Sequence, residues 1–295
     1  MKKRIDSDKV FGFINGFLLT IITLLVIYPI YFILAASISD PTYVNLGQTM
    51  FFPKGLTTLG YQKILEFPQI LVGYKNSIIY TAIGTTINLV MCMSTAYALS
   101  RKELVGRRFF NAVFVFVMFF SGGLIPEYLL LRNLNMLNTI WAIVLPCALN
   151  VYNMIVCRSF IQSTISEEMF EAVKVDGGSY PLFFFKIVLP LSKAVMAVMV
   201  LFHALAHWNN YLSVLYYVRD EEKYSLQLVL KNLAAALDTS AIAEGIDAKT
   251  LGEMQKAEQM TRYSVVIVAS IPVFLMYPFV QKYFVKGVMI GSVKG

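Results

Sequence analysis

Glu167 to Pro190 reads EEMFEAVKVDGGSYPLFFFKIVLP, and the rest of the chain is organised around it. It lies between two apolar runs, yet it carries four acids (Glu167, Glu168, Glu171, Asp176) and two lysines (Lys174, Lys186). Charge at this density does not sit in hydrocarbon. Gly177 and Gly178 break the stretch in the middle. Its first half reads as a short helix: Ser166 is placed to cap it, Glu167 and Glu168 suit the positive end of the helix dipole, and Gly177 is a natural stop. Met169, Ala172 and Val173 fall on one face, an apolar surface to press on something. The second half restarts with Ser179 as cap and Pro181 in the first turn. The expected result is two short helices folded at a glycine corner beneath a membrane; the plain alternative is an ordinary loop with an amphipathic turn.

Composition supports the membrane. Of 295 residues, 57% are hydrophobic and 15% charged, with mean hydropathy +0.64; soluble domains carry about 25% charge. The net charge of +7 falls at the ends of apolar runs, which argues for topology and against nucleic acid. Cys92, Cys147 and Cys157 are odd in number and lack metal-ligand spacing, so they read as small apolar packing residues.

Taken in order, a basic tail (residues 1–10) precedes a first span over 11–38, too long for a signal peptide and with Pro29 placed to kink it. A polar region, 39–72, follows. Further spans are expected over 76–99, 109–131, 137–157, 187–207 and 263–284, each near the roughly 20 residues that cross a bilayer core. Gly84-Thr85-Thr86 suits close helix approach, and Ser121-Gly122-Gly123 with Pro126 breaks the third span. The stretch 158–190 and the region 208–262 complete the chain. The fold class expected is all-α with six transmembrane helices in one permease domain, 11–295. Basic residues set its orientation. Four lie in the N-terminal tail, four in the 100–108 loop, four in 158–193 and three in the C-terminal tail. These fifteen face seven acids on one side, against ten and eleven on the other, which places both termini and the 158–190 loop in the cytosol.

Glu171-Ala172-Val173, three residues, Gly177, nine residues, then Ile187-x-Leu189-Pro190 resembles the EAA loop of ABC-importer permeases. Only Val173 departs from it, placing extra bulk where the family often has Ala. Pro29, Ser37-Ile38-Ser39-Asp40, Asn76-Ser77, Ala96-Tyr97, Ser121 to Pro126, Trp208-Asn209 and the tail from Gln281 through Val293-Lys294-Gly295 are similar to the oligosaccharide-uptake branch. The resemblance implies a type I importer (MetI-like) half-channel in a bacterial cytoplasmic membrane. It also implies a second homologous permease, giving a heterodimer, two ATP-binding subunits that use ATP and Mg, and an extracytoplasmic sugar-binding protein. Glu171, Ala172, Asp176, Gly177, Leu189 and Pro190 would then couple the chain to the ATPase. An amino-acid, peptide or phosphate permease shares this loop.

The chain has no G-x-x-x-x-G-K-[ST] phosphate loop, so a nucleotide motor must be a separate chain. No Ser-His-Asp set or acid pair is evident, which argues against an enzyme and against a cofactor of its own. An ion-coupled carrier needs acids within its spans, and only Glu127 qualifies. His203 and His207, at i and i+4, have one-face spacing but lack the glutamate of a zinc protease; they read as polar groups on an inner wall. A solute path is expected along Gly122, Gly123 and Glu127 at the broken span, Asn153 in the fourth span beside Asn150, and His203, His207, Trp208, Asn209 and Tyr211. Ring faces and amides suit a polyhydroxylated ligand. The bland readings are helix–helix hydrogen bonds for the asparagines, an interfacial belt for Trp208 and Tyr211, and an outer-end carboxylate for Glu127.

Overall fold

A computed structural model describes residues 7–240 and 248–291. Among these residues every regular element is a helix. The basic extremes of both tails, and part of the 208–262 region, lie outside the described residues. Internal contacts divide the chain into two compact units: residues 1–68 with 230–271, and residues 69–229 with 272–295.

The first unit is built on α1 (Ser7–Ser37). Within Val10–Ser37 its most apolar 18-residue window has a mean hydropathy of 2.5, and none of that window is covered by the rest of the chain. A helix that is apolar all round and bare needs lipid or another subunit as its solvent. Pro29 sits inside α1 without ending it. Past α1, Asp40 caps the short α2 (Pro41–Asn45) by accepting from the Thr42 amide at 2.8 Å, and the bonds from Thr42 hold its carboxyl below the ordinary value. The 39–67 segment is therefore ordered, and α3 (Leu59–Leu65) follows within it. Ser37 Oγ meets Tyr61 OH at 2.8 Å, and Asn45 Nδ2 donates to Gln259 Oε1 at 2.9 Å.

The second unit opens with α4 (Pro68–Ser100), an unbroken 33-residue helix of about 50 Å. It is followed by α5 (Arg107–Phe119), α6 (Leu124–Asn133), α7 (Ile140–Val144), α8 (Val151–Thr164), α9 (Glu167–Val175), α10 (Tyr180–Leu191), α11 (Lys193–Trp208) and α12 (Leu212–Tyr217). Two helices pass between the units: α13 (Leu226–Ser240) and α14 (Ala248–Gly291). The core of the second unit joins Cys92, Met93, Ala96 and Tyr97 of α4 to Met154, Cys157 and Ile161 of α8, Phe170 of α9, Phe183 and Val188 of α10, and Val195 and Met199 of α11.

The six expected spans take different forms. Among the described residues three helices are long and apolar enough to cross a membrane, over Val10–Ser37, Pro68–Ser100 and Glu258–Met276. Two more crossings would each be a bent pair, α5 with α6 at 113° and α10 with α11 at 80°. The expected fourth span, 137–157, is split into α7 and α8, because Pro146 offers no amide and Asn150 starts a new helix by accepting from the Asn153 amide at 3.0 Å. The expected fifth span starts late: Pro190 cannot bond the carbonyl one turn back, the chain widens to a π turn over Phe184–Val188, and it bends at Ser192.

Gly60 shows how tightly the first unit closes. A Cβ there would stand 2.7 Å from the Met260 carbonyl oxygen and 2.5 Å from Ser264 Oγ. Gly60→Ala is expected to cost about 1–3 kcal/mol of stability, read as a lower melting temperature of the detergent-purified protein. Adding Ser264→Ala will not rescue it, because the obstruction includes the backbone oxygen.

Candidate functional site

The corner at Glu167–Pro190 forms as two helices, and its turn has a complete backbone explanation. Asp176 closes α9, Gly177 takes φ +75°, the Gly177 amide donates to Lys174 O at 3.1 Å and the Gly178 amide to Val173 O at 2.8 Å. This is the paired 6→1 and 5→2 bonding of a Schellman stop. Gly177 is required by its left-handed backbone; nothing lies within 4 Å of where its Cβ would be. Gly178 is required by space, since a Cβ would run into Val173 Cγ1 and stand 2.8 Å from the Val173 carbonyl. Ser179 Oγ accepts from the Leu182 amide at 3.4 Å and starts α10.

Two details differ from the sequence reading. Ser166 stands at the cap position but its side chain makes no capping bond. Glu167 next to it is drawn instead into an ion pair with Arg101. Val173 does not face outward with Met169 and Ala172: it is partly buried, packed against the core and the Gly178 corner. The residue that seats α9 is Phe170, 4% exposed, which stands edge-on to Phe183 at 5.2 Å and against Tyr180 at 4.9 Å. An apolar residue at the second position after two acids was visible in the sequence, but which face turned inward was not. The opposite face, carrying Glu168, Met169, Glu171, Ala172 and Val175, is exposed, as are Asp176 and Pro190, while Leu189 packs against the core.

The expected solute path is divided by burial. At the third-span break, Gly123 takes φ +83° and begins α6, and Gly122, Gly123 and Glu127 are exposed. Glu127 lies in the first turn of α6, where its charge suits the helix dipole, and accepts from Tyr217 OH at 3.0 Å. Asn209 is exposed and Tyr211 half-buried. His203, His207 and Trp208 are instead 3%, 6% and 2% exposed, and Asn153 is also buried. His207 Nε2 meets Asn88 Oδ1 of α4 at 2.6 Å, Asn88 Nδ2 donates to Cys147 O, and Trp208 stacks obliquely on Tyr74 at 6.1 Å. A Cβ on Gly84 would overlap the His207 ring, so Gly84 lets α11 close on α4. Asn150 is spent on its own cap. Cys92 and Cys157 pack Sγ to Sγ at 3.6 Å in the core, whereas Cys147 is exposed, against the packing role expected for all three. Among the described residues no group of three or more His, Cys, Asp or Glu is placed to hold a metal.

At the far end of α4 a second polar knot forms. Asn76 Nδ2 donates to Glu222 O at 2.8 Å and Tyr224 O at 3.0 Å, Tyr80 OH donates to Lys223 O at 2.7 Å, and Ser77 Oγ accepts from the Leu226 amide at 2.8 Å. Asn138 accepts from the Asp220 amide and donates to the Asp220 carboxylate at 2.7 Å; with Lys223 it holds that carboxyl below the ordinary value. Sequence reasoning singled out Asn76-Ser77 but not Asn138, Asp220 or Lys223.

Two substitutions separate the parts of the corner. Phe170→Ala is expected to cost about 3–5 kcal/mol, and Met169→Ala under about 0.5 kcal/mol, in thermal melts of the purified protein. Gly178→Ala will disturb the corner, and Val173→Ala will not restore it, because the clash with the carbonyl remains.

The model of the family described as "Binding-protein-dependent transport system inner membrane component" matches residues 70–290. Protein LplC of Bacillus subtilis (strain 168) is 36% identical over 291 residues, 98% of this chain and 96% of that one. The polygalacturonan/rhamnogalacturonan transport system permease protein YtcP of the same organism is 34% identical over the whole of both chains. A crystal structure of a bacterial ABC transporter involved in the import of the acidic polysaccharide alginate contains a chain that is 31% identical, with a TM-score of 0.80, covering 96% of this chain and 100% of that one. With its corner, its broken helices and these likenesses, the chain belongs to the family of binding-protein-dependent transport system inner membrane components.

Proposed function

We propose that this chain is the permease subunit of an ATP-driven importer that carries an oligosaccharide across a bacterial cytoplasmic membrane. The observation that carries the reading is α9: Phe170 locks it to the core, and its other face, Glu168, Met169, Glu171 and Ala172, is left exposed. A helix fixed on one side and open on the other transmits a push. Glu171, Ala172, Asp176 and Gly177 meet a separate ATPase subunit, and Leu189 and Pro190 pass its movement to α10 and the bend before α11. ATP and Mg stay on two such partner subunits, and this chain does no bond chemistry.

The chain crosses the bilayer six times, by α1, α4, the bent α5–α6, the split α7–α8, the bent α10–α11 and α14, with both termini and the corner in the cytosol. Fifteen basic residues on that side support this orientation. Non-helical backbone at membrane depth is stable where it lines a wet cavity or is buried in protein, so the break at Gly122-Gly123 marks the path. Gly122, Gly123, Glu127, Asn209 and Tyr211 face the solute; His203, His207, Trp208 and Asn153 form the wall behind them. A second, homologous permease closes the pore, and an extracytoplasmic binding protein delivers the sugar to the 39–72 and 208–262 regions. The oligosaccharide reading is supported by the names of similar chains, among them the arabinooligosaccharides transport system permease protein AraQ of Halalkalibacterium halodurans, 25% identical over 96% of this chain.

The test is uptake into vesicles holding the assembled transporter, offered fragments of polygalacturonan, of alginate and of a neutral arabinan. Uptake of at least one, dependent on ATP and indifferent to collapse of the proton gradient, is expected; uptake driven by the gradient alone sinks the proposal. Gly177→Val forces a β-branched residue into a left-handed backbone at a cost of about 1–2 kcal/mol. It is expected to leave ATP hydrolysis running while uptake falls.

A further inference from the structure

Arg101 follows the last residue of α4 and is 7% exposed, a charge taken almost entirely out of water. A buried charge is held by its partners, and here they come from the corner. The guanidinium pairs with the Glu167 carboxylate, lies 4.1 Å over the ring centre of Phe170 and 5.9 Å from that of Phe183, and has Glu103 Oε2 at 3.6 Å from Nε. The same end of α4 is bonded twice more: Tyr97 OH donates to Tyr180 O at 3.3 Å, and Gln162 Nε2 to Ser100 O at 3.4 Å. The opposite end is tied through Asn76, Ser77 and Tyr80 to residues 222–226. Between the two knots α4 contains no proline and no break, whereas α5–α6, α7–α8 and α10–α11 are all interrupted. It spans about 40 Å from Asn76 to Arg101.

We propose that Arg101 is the positioning residue that grips the corner, so that α4 acts as a stiff rod carrying corner movement to the 217–226 segment. Two elements carry the grip, the cation over the face of Phe170 and the ion pair to Glu167. A lysine can reproduce only the second. By linkage, whatever moves the corner changes binding at the far knot, and a ligand on the far knot changes the energetics of the corner equally. The inference rests on the reading of the corner as the ATPase contact.

The experiment uses the full transporter, with partner permease, ATPases and binding protein, reconstituted in vesicles. Cys147 is replaced by Ser, and one cysteine is placed by Glu222→Cys as a reporter for a membrane-impermeant maleimide. In the protein with Arg101 intact, labelling is expected to change on adding ATP. In Arg101→Ala that ATP-dependent change is lost, and stimulation of ATP hydrolysis by the loaded binding protein falls by about tenfold per assembled complex. Arg101→Lys is intermediate. If Arg101→Ala prevents assembly, Glu167→Gln removes the ion pair alone and is expected to reduce the ATP-dependent change in part. An unchanged ATP response and stimulation per complex in the assembling variant would overturn the role of Arg101. No ATP response with Arg101 intact would instead overturn the functional reading of the corner.

Discussion

The ring of Phe170 packs against both the Arg101 guanidinium and the Phe183 ring, and this one cluster makes the corner part of the core. Without it α9 would be a nine-residue helix with four charged side chains, too short to persist alone in water. With it, α9 is continuous with the packing of α4, α8, α10 and α11. The aromatic ring supplies apolar burial, and its face accepts the cation that Glu167 of the same helix also holds.

The polar groups within the apolar unit obey the same economy. Asn88 bridges His207 and the carbonyl at Cys147, and Asn150 caps α8. Each satisfies a group that a break in helix would otherwise leave bare, which is what an apolar surrounding requires. His203 and His207 belong to this framework, with His207 seated against Gly84, where no larger residue would allow the approach.

The interruptions are the second constraint. α4 is one rod, but its neighbours bend by 113° and 80° or divide at Pro146. Proline and paired glycines set each break, since one removes an amide donor and the other accepts dihedrals closed to other residues. The broken segments expose Gly122, Gly123, Glu127 and Asn209 in the same unit as the corner.

Much of this was legible in the residues alone. The helical class, the three long apolar helices, the corner, its left-handed Gly177, the Ser179 cap and the break at Gly122-Gly123 all follow from local rules: hydropathy over a bilayer's thickness, the loss of Cβ at glycine, a short polar side chain before a helix. What local rules did not decide was which way side chains turned. Val173 went inward and Phe170 became the anchor because α9 meets Tyr180 and Phe183 from a later segment. Ser166 lost its cap because Arg101, 65 positions earlier, took the neighbouring glutamate. The fourth span divided because an asparagine cap and a proline outweighed a continuous apolar run, and the histidines were enclosed because Gly84 let α4 come close. Sequence carries the energetics of each residue with its neighbours in the chain; partners brought together by folding decide the rest.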